Sequence, residues 1–178
     1  MELNVNGVPR AIASPPLTPL LHVLREELSV MSPKPGCFQG ACGTCTVLVD
    51  GEPRRSCLVP VGTLEGAEVT TVEGLGTAPD RLAPIQAAFH KGYAAQCGYC
   101  TSGMMMAAHA LIQRKGGPVD RDEVIAAMGG HICRCTGYVK IVDAVMAASR
   151  DGNEEVKLEE MVPAESGEPE VEIKGSPA

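Results

Sequence analysis

Alternating hydrophobic and polar residues dominate the first part of the chain, a pattern typical of half-buried β-strands. We expect strands in five segments, at residues 3–6, 8–13, 46–49, 54–61 and 67–72. The dipeptide Asn6-Gly7 lies between the first and second segments, and Asp50-Gly51 lies between the third and fourth. Both dipeptides are strong signals for a tight β-hairpin turn. A helix is expected between the two hairpins, because Thr18 offers an N-cap, Pro19 suits the first helical position and apolar residues follow at helical spacing up to Leu28.

The pattern becomes helical after a break rich in glycine and proline at residues 74–79. Four segments have apolar positions at helical spacing: 82–89, 101–114, 120–128 and 137–149. The expected N-caps of the last three helices are Thr101 or Ser102, then Asp120, then Thr136. We therefore expect a change from strands to helices near the middle of the chain.

These patterns divide the chain into a β-rich domain at residues 1–76, a helical domain at 77–150 and a tail at 151–178. The tail is acidic, is broken by prolines and lacks a long apolar stripe. We expect it to be disordered or to become ordered against a partner.

Composition and charge exclude several functional classes. The 178 residues are 44% hydrophobic but only 3% aromatic, so a globular core built from aliphatic side chains and methionine is expected. The formal net charge of -7 argues against nucleic acid, whose phosphates require a basic surface. No run of about 18 apolar residues predicts a transmembrane helix, and the first residues lack the features of a secretory signal. We expect a cytoplasmic protein that is not inserted in a membrane.

The eight cysteines are the most distinctive feature of the composition. We do not expect disulfides, because the cytoplasm keeps thiols reduced. The cysteines fall into two groups of four: Cys37, Cys42, Cys45 and Cys57, and Cys97, Cys100, Cys133 and Cys135. Two groups of four thiols are what two metal sites would require.

The first group has the spacing C-x4-C-x2-C followed by a more distant fourth cysteine, which is the plant-type signature of a 2Fe-2S cluster. Gly36, Gly40 and Gly43 lie in this segment and allow the backbone to bend closely around an anionic cluster. Backbone N–H groups of such a loop can point at the cluster sulfurs and offset their charge. A tetrahedral zinc site is the alternative, but three cysteines in one glycine-rich loop fit it poorly.

The second group consists of two close pairs, Cys97-x2-Cys100 and Cys133-x-Cys135, and each pair comes just before a predicted helix. Two helix N-termini would then converge on one site, and their partial positive charge suits an anionic cluster. On spacing alone, zinc remains an alternative for this group.

No other residues form a recognisable catalytic or ligand pattern. The four histidines lack ligand-type spacing, and the glycine-rich segments match neither common nucleotide-binding motif. A chain with metal ligands but no catalytic apparatus is expected to be a subunit rather than a complete enzyme.

Four segments resemble motifs of the small iron–sulfur subunit of the molybdenum hydroxylases, the xanthine oxidase family. They are GCFQGACGTCTV at residues 36–47, SCL at 56–58, QCGYCT at 96–101 and CRCTGY at 133–138. Their order and separation agree with the family from about residue 3 to residue 148. The resemblance makes the second cysteine group the ligands of a second 2Fe-2S cluster. Ser102 and His131-Ile132 replace the usual Pro and Asn-Leu of the family, but none of them is a ligand.

The resemblance also implies a fold and a function. The fold is α+β, with an N-terminal plant-type ferredoxin-like (β-grasp) domain followed by a C-terminal four-helix-bundle domain. In this family a large subunit binds molybdenum on a pterin cofactor (molybdopterin), and electrons leave it through both clusters of the small subunit. They reach FAD on a medium subunit, or another acceptor. We therefore expect a non-catalytic electron-transfer subunit of a hetero-oligomer, for example a dimer of heterotrimers, in which Gln96 contacts the molybdopterin.

Two other hypotheses compete with this one. A free ferredoxin-type carrier would not need the second cysteine domain, and a zinc-stabilised adaptor would not need the plant-type loop. The substrate is not encoded in this chain, because the large subunit selects among aldehydes, purines, other N-heterocycles and carbon monoxide.

Overall fold

A computed structural model describes residues 1–78, 80–152 and 154–161 of the chain. Five strands form one sheet: β1 (Glu2–Val5), β2 (Val8–Ala11), β3 (Thr46–Val49), β4 (Glu52–Arg55) and β5 (Glu68–Thr70). Their spatial order is β2-β1-β5-β3-β4. β1 and β5 are parallel, and all other neighbouring pairs are antiparallel. The sheet is therefore made of two hairpins joined through β5.

Both hairpin predictions are confirmed. Asn6 and Gly7 have φ angles of 54° and 74°, and Asp50 and Gly51 have φ angles of 52° and 80°. Positive φ at both central residues is what a type I′ turn requires.

The predicted strand at residues 54–61 is wrong in its second half. β4 ends at Arg55, and Ser56–Leu58 form a 3₁₀ turn. At this point the Ser56 hydroxyl joins the Ser56 N–H in donating to the Cys45 carbonyl, at 2.7 and 3.3 Å, and the chain turns out of the sheet. This turn carries Cys57 to the buried end of the first cysteine loop.

The helix between the hairpins begins later than the sequence predicts. It consists of α1 (Leu20–His22) and a π turn at Val23–Glu27. Thr18 is not its N-cap, because Pro19 holds that position and the Thr18 carbonyl accepts a hydrogen bond from the Val61 N–H at 2.9 Å. The predicted apolar stripe is buried: Leu20, Val23 and Leu24 pack in the core under the sheet, and Leu21 packs against Cys45 and Cys57.

Four helices follow: α2 (Pro84–Lys91), α3 (Thr101–Lys115), α4 (Arg121–Met128) and α5 (Val139–Arg150). Asp120 caps α4 as predicted, since its carboxylate accepts the Glu123 N–H at 2.9 Å. The starts of α3 and α5 differ from the prediction, because Cys100 and Tyr138 hold their N-cap positions. Thr136 does not cap α5; its hydroxyl lies 3.1 Å from the Cys133 Sγ instead.

The structure describes the beginning of the segment assigned to the tail. β6 (Arg81–Leu82) pairs antiparallel with β7 (Val156–Lys157), and Met161 is buried. Residues 154–161 therefore pack on their own chain. Residues 162–178 lie outside the described residues, so the expectation for this part of the tail stays a prediction.

Two main hydrophobic cores are separated along the sequence. The core under the sheet contains Leu3, Leu20, Leu24, Val47 and Val69, and the core among the helices contains Ile85, Phe89, Met104, Val124 and Val145. A small third cluster, formed by Leu48 with Met106 and Ala110, joins them where α3 packs against β3. In the described part of the chain, no helix has the length and apolar character needed to cross a membrane.

Candidate metal centres

The first cysteine group lies at one end of the sheet. Cys37 and Cys42 belong to the irregular loop before β3, Cys45 directly precedes β3, and Cys57 lies in the turn after β4. Cys45 and Cys57 pack together with Leu21 in a buried cluster. The hairpin formed by β3 and β4 therefore brings Cys57 back to the loop that carries the other three cysteines.

Backbone donors and burial give the thiols of this group different electrostatic environments. The N–H groups of Gln39 and Cys42 donate to the Cys37 Sγ at 3.4 and 3.3 Å, and these bonds lower the pKa of Cys37 to about 6. Burial, followed by the nearby Cys45, raises the pKa of Cys57 to about 11. A thiolate at Cys57 needs a positive partner, and iron ions would supply it. The donor set and the N–H groups aimed at sulfur therefore fit an iron–sulfur cluster.

Two glycines allow the close packing of this loop. A Cβ at Gly36 would lie 2.7 Å from both the Cys42 Sγ and the Thr44 Oγ1. A Cβ at Gly43 would lie 2.5 Å from His131 Cδ2 and 2.8 Å from the Gly130 carbonyl oxygen, and Gly43 also has a φ of +78°. Gly43 thus lets the first loop approach the segment that precedes Cys133.

The second cysteine group lies where the starts of α3 and α5 meet. The Sγ atoms of Cys97 and Cys135 are 3.6 Å apart, so the structure brings the two sequence pairs together. Cys97 and Cys135 are exposed, whereas Cys100 is buried. The site therefore has an edge at the molecular surface and a buried side.

The buried side of the second group again favours a positive partner. Burial, followed by the nearby Cys133, raises the pKa of Cys100 to about 12. Burial also opposes ionisation of Cys133, but hydrogen bonds from Thr136 outweigh it and lower the pKa of Cys133. This donor set, with two thiols near the surface and two beneath them, also fits a four-thiolate cluster.

Direct hydrogen bonds connect the two cysteine groups. The Ile132 N–H donates to the Cys42 carbonyl at 2.9 Å, so a backbone contact joins one proposed ligand of the first cluster to the residue beside Cys133. Tyr99 adds a second connection, because its hydroxyl donates to the Pro35 carbonyl at 2.9 Å.

Arg55 and His131 are two residues of this junction that the sequence analysis did not identify. The Arg55 guanidinium donates to the Gly130 carbonyl at 2.7 Å, to the Thr46 hydroxyl at 2.6 Å and to His131 Nε2 at 3.1 Å. Burial and then the positive charge of Arg55 lower the pKa of His131 to about 4, so the imidazole is neutral and accepts through Nε2. The available signals were the position of Arg55 beside the SCL segment and the departure of His131 from the family motif.

Gln96 lies in a short irregular segment directly before Cys97 and is exposed. Its side chain makes no hydrogen bond to the described part of the chain. The amide is therefore available to a partner at the exposed edge of the second cysteine group.

Comparisons with known proteins agree with these two centres. Residues 6–87 match the family described as a 2Fe-2S iron-sulfur cluster binding domain, and residues 71–146 match the family described as a 2Fe-2S binding domain. The fold and its two centres therefore define a protein with two 2Fe-2S domains. The chain belongs to the small iron–sulfur subunits of the molybdenum hydroxylase family.

Relatives and solved structures cover most of the chain. The nicotinate dehydrogenase small FeS subunit of Eubacterium barkeri is 40% identical over 148 residues, which are 83% of this chain and 93% of the relative. The xanthine dehydrogenase iron-sulfur-binding subunit of Escherichia coli O157:H7 is 41% identical, over 82% of this chain and 91% of the relative. A crystal structure of quinoline 2-oxidoreductase from Pseudomonas putida 86 is 41% identical with a TM-score of 0.79, over 84% of this chain and 92% of that chain.

Membership of this family confirms the functional class predicted from the sequence. The chain is an electron-transfer subunit of an oxidoreductase complex, and it is not the catalytic subunit. Its cofactors are 2Fe-2S clusters, and the molybdopterin and FAD of the family belong to partner subunits. The zinc alternative for the second cysteine group is not retained, because the family matched over residues 71–146 is a 2Fe-2S domain.

Proposed function

We propose that this chain conducts electrons from a large molybdopterin-binding subunit to an acceptor through two clusters with separate ligand sets. Cys37, Cys42, Cys45 and Cys57 hold the ferredoxin-like cluster, and Cys97, Cys100, Cys133 and Cys135 hold the helical-domain cluster. Each cluster, when bound, takes up and releases one electron at a time.

The observation that carries this proposal is the backbone contact between the two ligand segments. The Ile132 N–H donates to the Cys42 carbonyl at 2.9 Å. Cys42 is a proposed ligand of the ferredoxin-like cluster, and Ile132 directly precedes Cys133, a proposed ligand of the helical-domain cluster. Two metal centres that served only to stabilise separate domains would not need a junction at their ligand loops. The junction gives the chain a short continuous connection from Cys133 to Cys42.

The fold supports a two-domain description. The order β2-β1-β5-β3-β4, with parallel β1 and β5, suits a ferredoxin-like β-grasp domain at residues 1–76. Helices α2 to α5 share one core and suit a four-helix bundle at residues 77–150. Residues 151–178 then form a C-terminal segment, of which residues 154–161 fold back on the chain.

The two centres offer different surfaces to partners. The large subunit would lie over the exposed edge formed by Cys97 and Cys135, where Gln96 would contact the molybdopterin. Phe38 and Leu58 are 52% and 59% exposed beside the first cysteine loop, and they suit contact with a medium FAD-binding subunit. The resulting hetero-oligomer, such as a dimer of heterotrimers, would lie in the cytoplasm, where thiols remain free for metal binding.

Metal analysis of the purified chain tests the assignment of two clusters. We expect about four iron ions and four acid-labile sulfides per chain, because each 2Fe-2S cluster contributes two of each. Iron near two per chain together with bound zinc would contradict the second site.

Two matched substitutions test the ligand sets, with each serving as the control for the other. Cys42→Ser should remove the electron paramagnetic resonance (EPR) signal of the ferredoxin-like cluster and leave that of the helical-domain cluster. Cys133→Ser should have the opposite effect, because its thiol belongs to the other set. Loss of both signals from a folded variant would contradict two separate ligand sets.

A further inference from the structure

The hydroxyl of Tyr138 lies against the backbone that joins the two ligand segments. It accepts a hydrogen bond from the Cys133 N–H at 2.8 Å and donates one to the His131 carbonyl at 3.0 Å. Both contacts flank Ile132, whose N–H is the donor to Cys42. One side-chain oxygen therefore fixes the backbone on each side of the junction.

The peptide group between His131 and Ile132 is bonded at both ends. In a trans peptide the carbonyl and the N–H point in opposite directions. The carbonyl of this peptide accepts from Tyr138, and its N–H donates to Cys42 at 2.9 Å. Hydrogen bonds that share one peptide group polarise each other, so the Tyr138 contact strengthens the contact with Cys42.

The local structure holds Tyr138 in the conformation that this contact needs. Its φ is +68°, which is uncommon for a residue other than glycine. The Tyr138 N–H donates to the Thr136 hydroxyl at 3.3 Å, and its carbonyl accepts the Val142 N–H at 2.9 Å as α5 begins. The ring packs against the helical core. The hydroxyl is thus presented to residues 131–133 by a side chain with little freedom.

We propose that Tyr138 is a positioning residue for electron transfer between the two clusters. Its hydroxyl orients the 131–132 peptide toward Cys42 and holds Cys133 in place. This inference rests on the proposed function, in which one electron leaves the helical-domain cluster and one enters the ferredoxin-like cluster. The helical-domain cluster would be oxidised and the ferredoxin-like cluster reduced, and Tyr138 itself would neither gain nor lose an electron or a proton.

The chain offers two matched controls for Tyr138→Phe. Tyr99→Phe also removes a hydroxyl that bridges the two halves of the chain, but that hydroxyl bonds Pro35 and does not touch residues 131–133. Tyr93→Phe removes a hydroxyl from a side chain that is 77% exposed. All three substitutions keep an aromatic ring, so they differ mainly in which hydrogen bonds are lost.

The first measurement is amide hydrogen exchange in the full chain loaded with both clusters. Tyr138→Phe should accelerate exchange in the peptide covering residues 130–134 by roughly 2- to 12-fold, because the Cys133 N–H loses its one acceptor. Tyr99→Phe and Tyr93→Phe should leave this peptide unchanged. This readout needs no catalytic turnover.

The second measurement is the rate of electron transfer between the clusters in the assembled complex, followed after rapid reduction with substrate. Tyr138→Phe should slow the appearance of the reduced ferredoxin-like cluster, whereas the reduction of the helical-domain cluster should keep its rate. The EPR spectrum of the fully reduced Tyr138→Phe complex should also show an altered magnetic interaction between the two clusters. Tyr93→Phe, whose side chain lies at the surface, should change neither the transfer rate nor this interaction.

Two results would overturn the positioning role. The first is amide hydrogen exchange of residues 130–134 that is no faster in Tyr138→Phe than in Tyr93→Phe. The second is faster exchange in Tyr138→Phe with an unchanged rate of electron transfer between the clusters. Failure of the proposed function has a different signature, because the wild-type complex would then never reduce its ferredoxin-like cluster.

If Tyr138→Phe does not retain both clusters, 3-fluorotyrosine at this position keeps the ring and oxygen but weakens acceptance from Cys133. A smaller acceleration of exchange together with a changed transfer rate would then support the inference, and no change in either would overturn it.

Discussion

At the scale of single residues, the Arg55 side chain forms hydrogen bonds on both sides of the junction of the two centres. It lies between two proposed ligands of the first cluster, Cys45 and Cys57, yet its guanidinium reaches Gly130 and His131 near the second. Hydrogen bonds from a charged donor are stronger than neutral ones, and Arg can make several at once because its geometry is fixed. Arg55 therefore connects the hairpin to the loop that precedes Cys133.

We predict that Arg55→Met destabilises the chain by about 2 kcal/mol and lowers its midpoint of thermal unfolding by about 4–8 °C. The neighbouring Arg54 provides the control, because it is exposed and its side chain makes no hydrogen bond within the described residues. Arg54→Met should leave the midpoint within about 1–2 °C of wild type, as expected for an exposed surface position. Thermal melts followed by cluster absorbance and circular dichroism measure both. Equal midpoints for the two variants would mean that the Arg55 contacts do not contribute to stability.

At the scale of elements, the features that the sequence predicts correctly depend on local chemistry. The turns at Asn6-Gly7 and Asp50-Gly51 and the cap at Asp120 need only adjacent residues. The errors concern the end of β4 and the starts of α1, α3 and α5, and cysteines lie at all of these places except the start of α1. Near these cysteines, side chains bond to residues distant in sequence or to sulfur: the Ser56 hydroxyl donates to the Cys45 carbonyl, and the Thr136 hydroxyl lies against the Cys133 Sγ. A local pattern carries no information on such partners. The same reason explains why the cysteine spacing predicted two centres but not the contact between them.

A pair of glycines tests how closely the two ligand segments must approach. Gly43 and Gly51 have φ angles of +78° and +80°, so an alanine has a similar backbone cost of about 1–2 kcal/mol at either position. A Cβ at Gly51 would meet no described atom within 4 Å, whereas a Cβ at Gly43 would overlap Gly130 and His131. We predict that Gly43→Ala costs about 1–3 kcal/mol more than Gly51→Ala, the usual effect of overpacking.

The comparison of these variants uses two measurements. Thermal unfolding gives the difference in stability, and EPR of the fully reduced chain gives the magnetic interaction between the clusters. Gly43→Ala should change both, and Gly51→Ala should change only the stability. If the two variants behave alike, the close approach at Gly43 is not needed to hold the two centres together.

At the scale of the whole molecule, the two centres are exposed in different ways. The first has two buried thiols, of Cys45 and Cys57, and is bordered by exposed apolar side chains, whereas the second exposes two thiols directly. An electron carrier that joins two partners needs an accessible side at each centre and a connected interior between them. The cysteine spacing predicts the centres, but exposure depends on the starts of α3 and α5 and on their packing.

Gln96 is the residue of this chain that we expect to contact the cofactor of the large subunit. An exposed amide that both donates and accepts hydrogen bonds suits the edge of a pterin. Gln96→Ala should leave the iron and sulfide content unchanged, because no ligand is altered. It should slow the reduction of the helical-domain cluster by substrate in the assembled complex by roughly 2- to 12-fold, corresponding to one hydrogen bond of about 0.5–1.5 kcal/mol.

Gln39→Ala is the matched control for Gln96→Ala, because Gln39 is also an exposed amide within a cysteine loop but belongs to the first centre. Its backbone N–H, which donates to Cys37, is retained in the alanine variant. Gln39→Ala should leave the rate of reduction of the helical-domain cluster unchanged. Stopped-flow reduction by substrate, with molybdenum content measured in parallel, compares the two variants. Full molybdenum content and a wild-type rate in Gln96→Ala would show that Gln96 is only a surface amide.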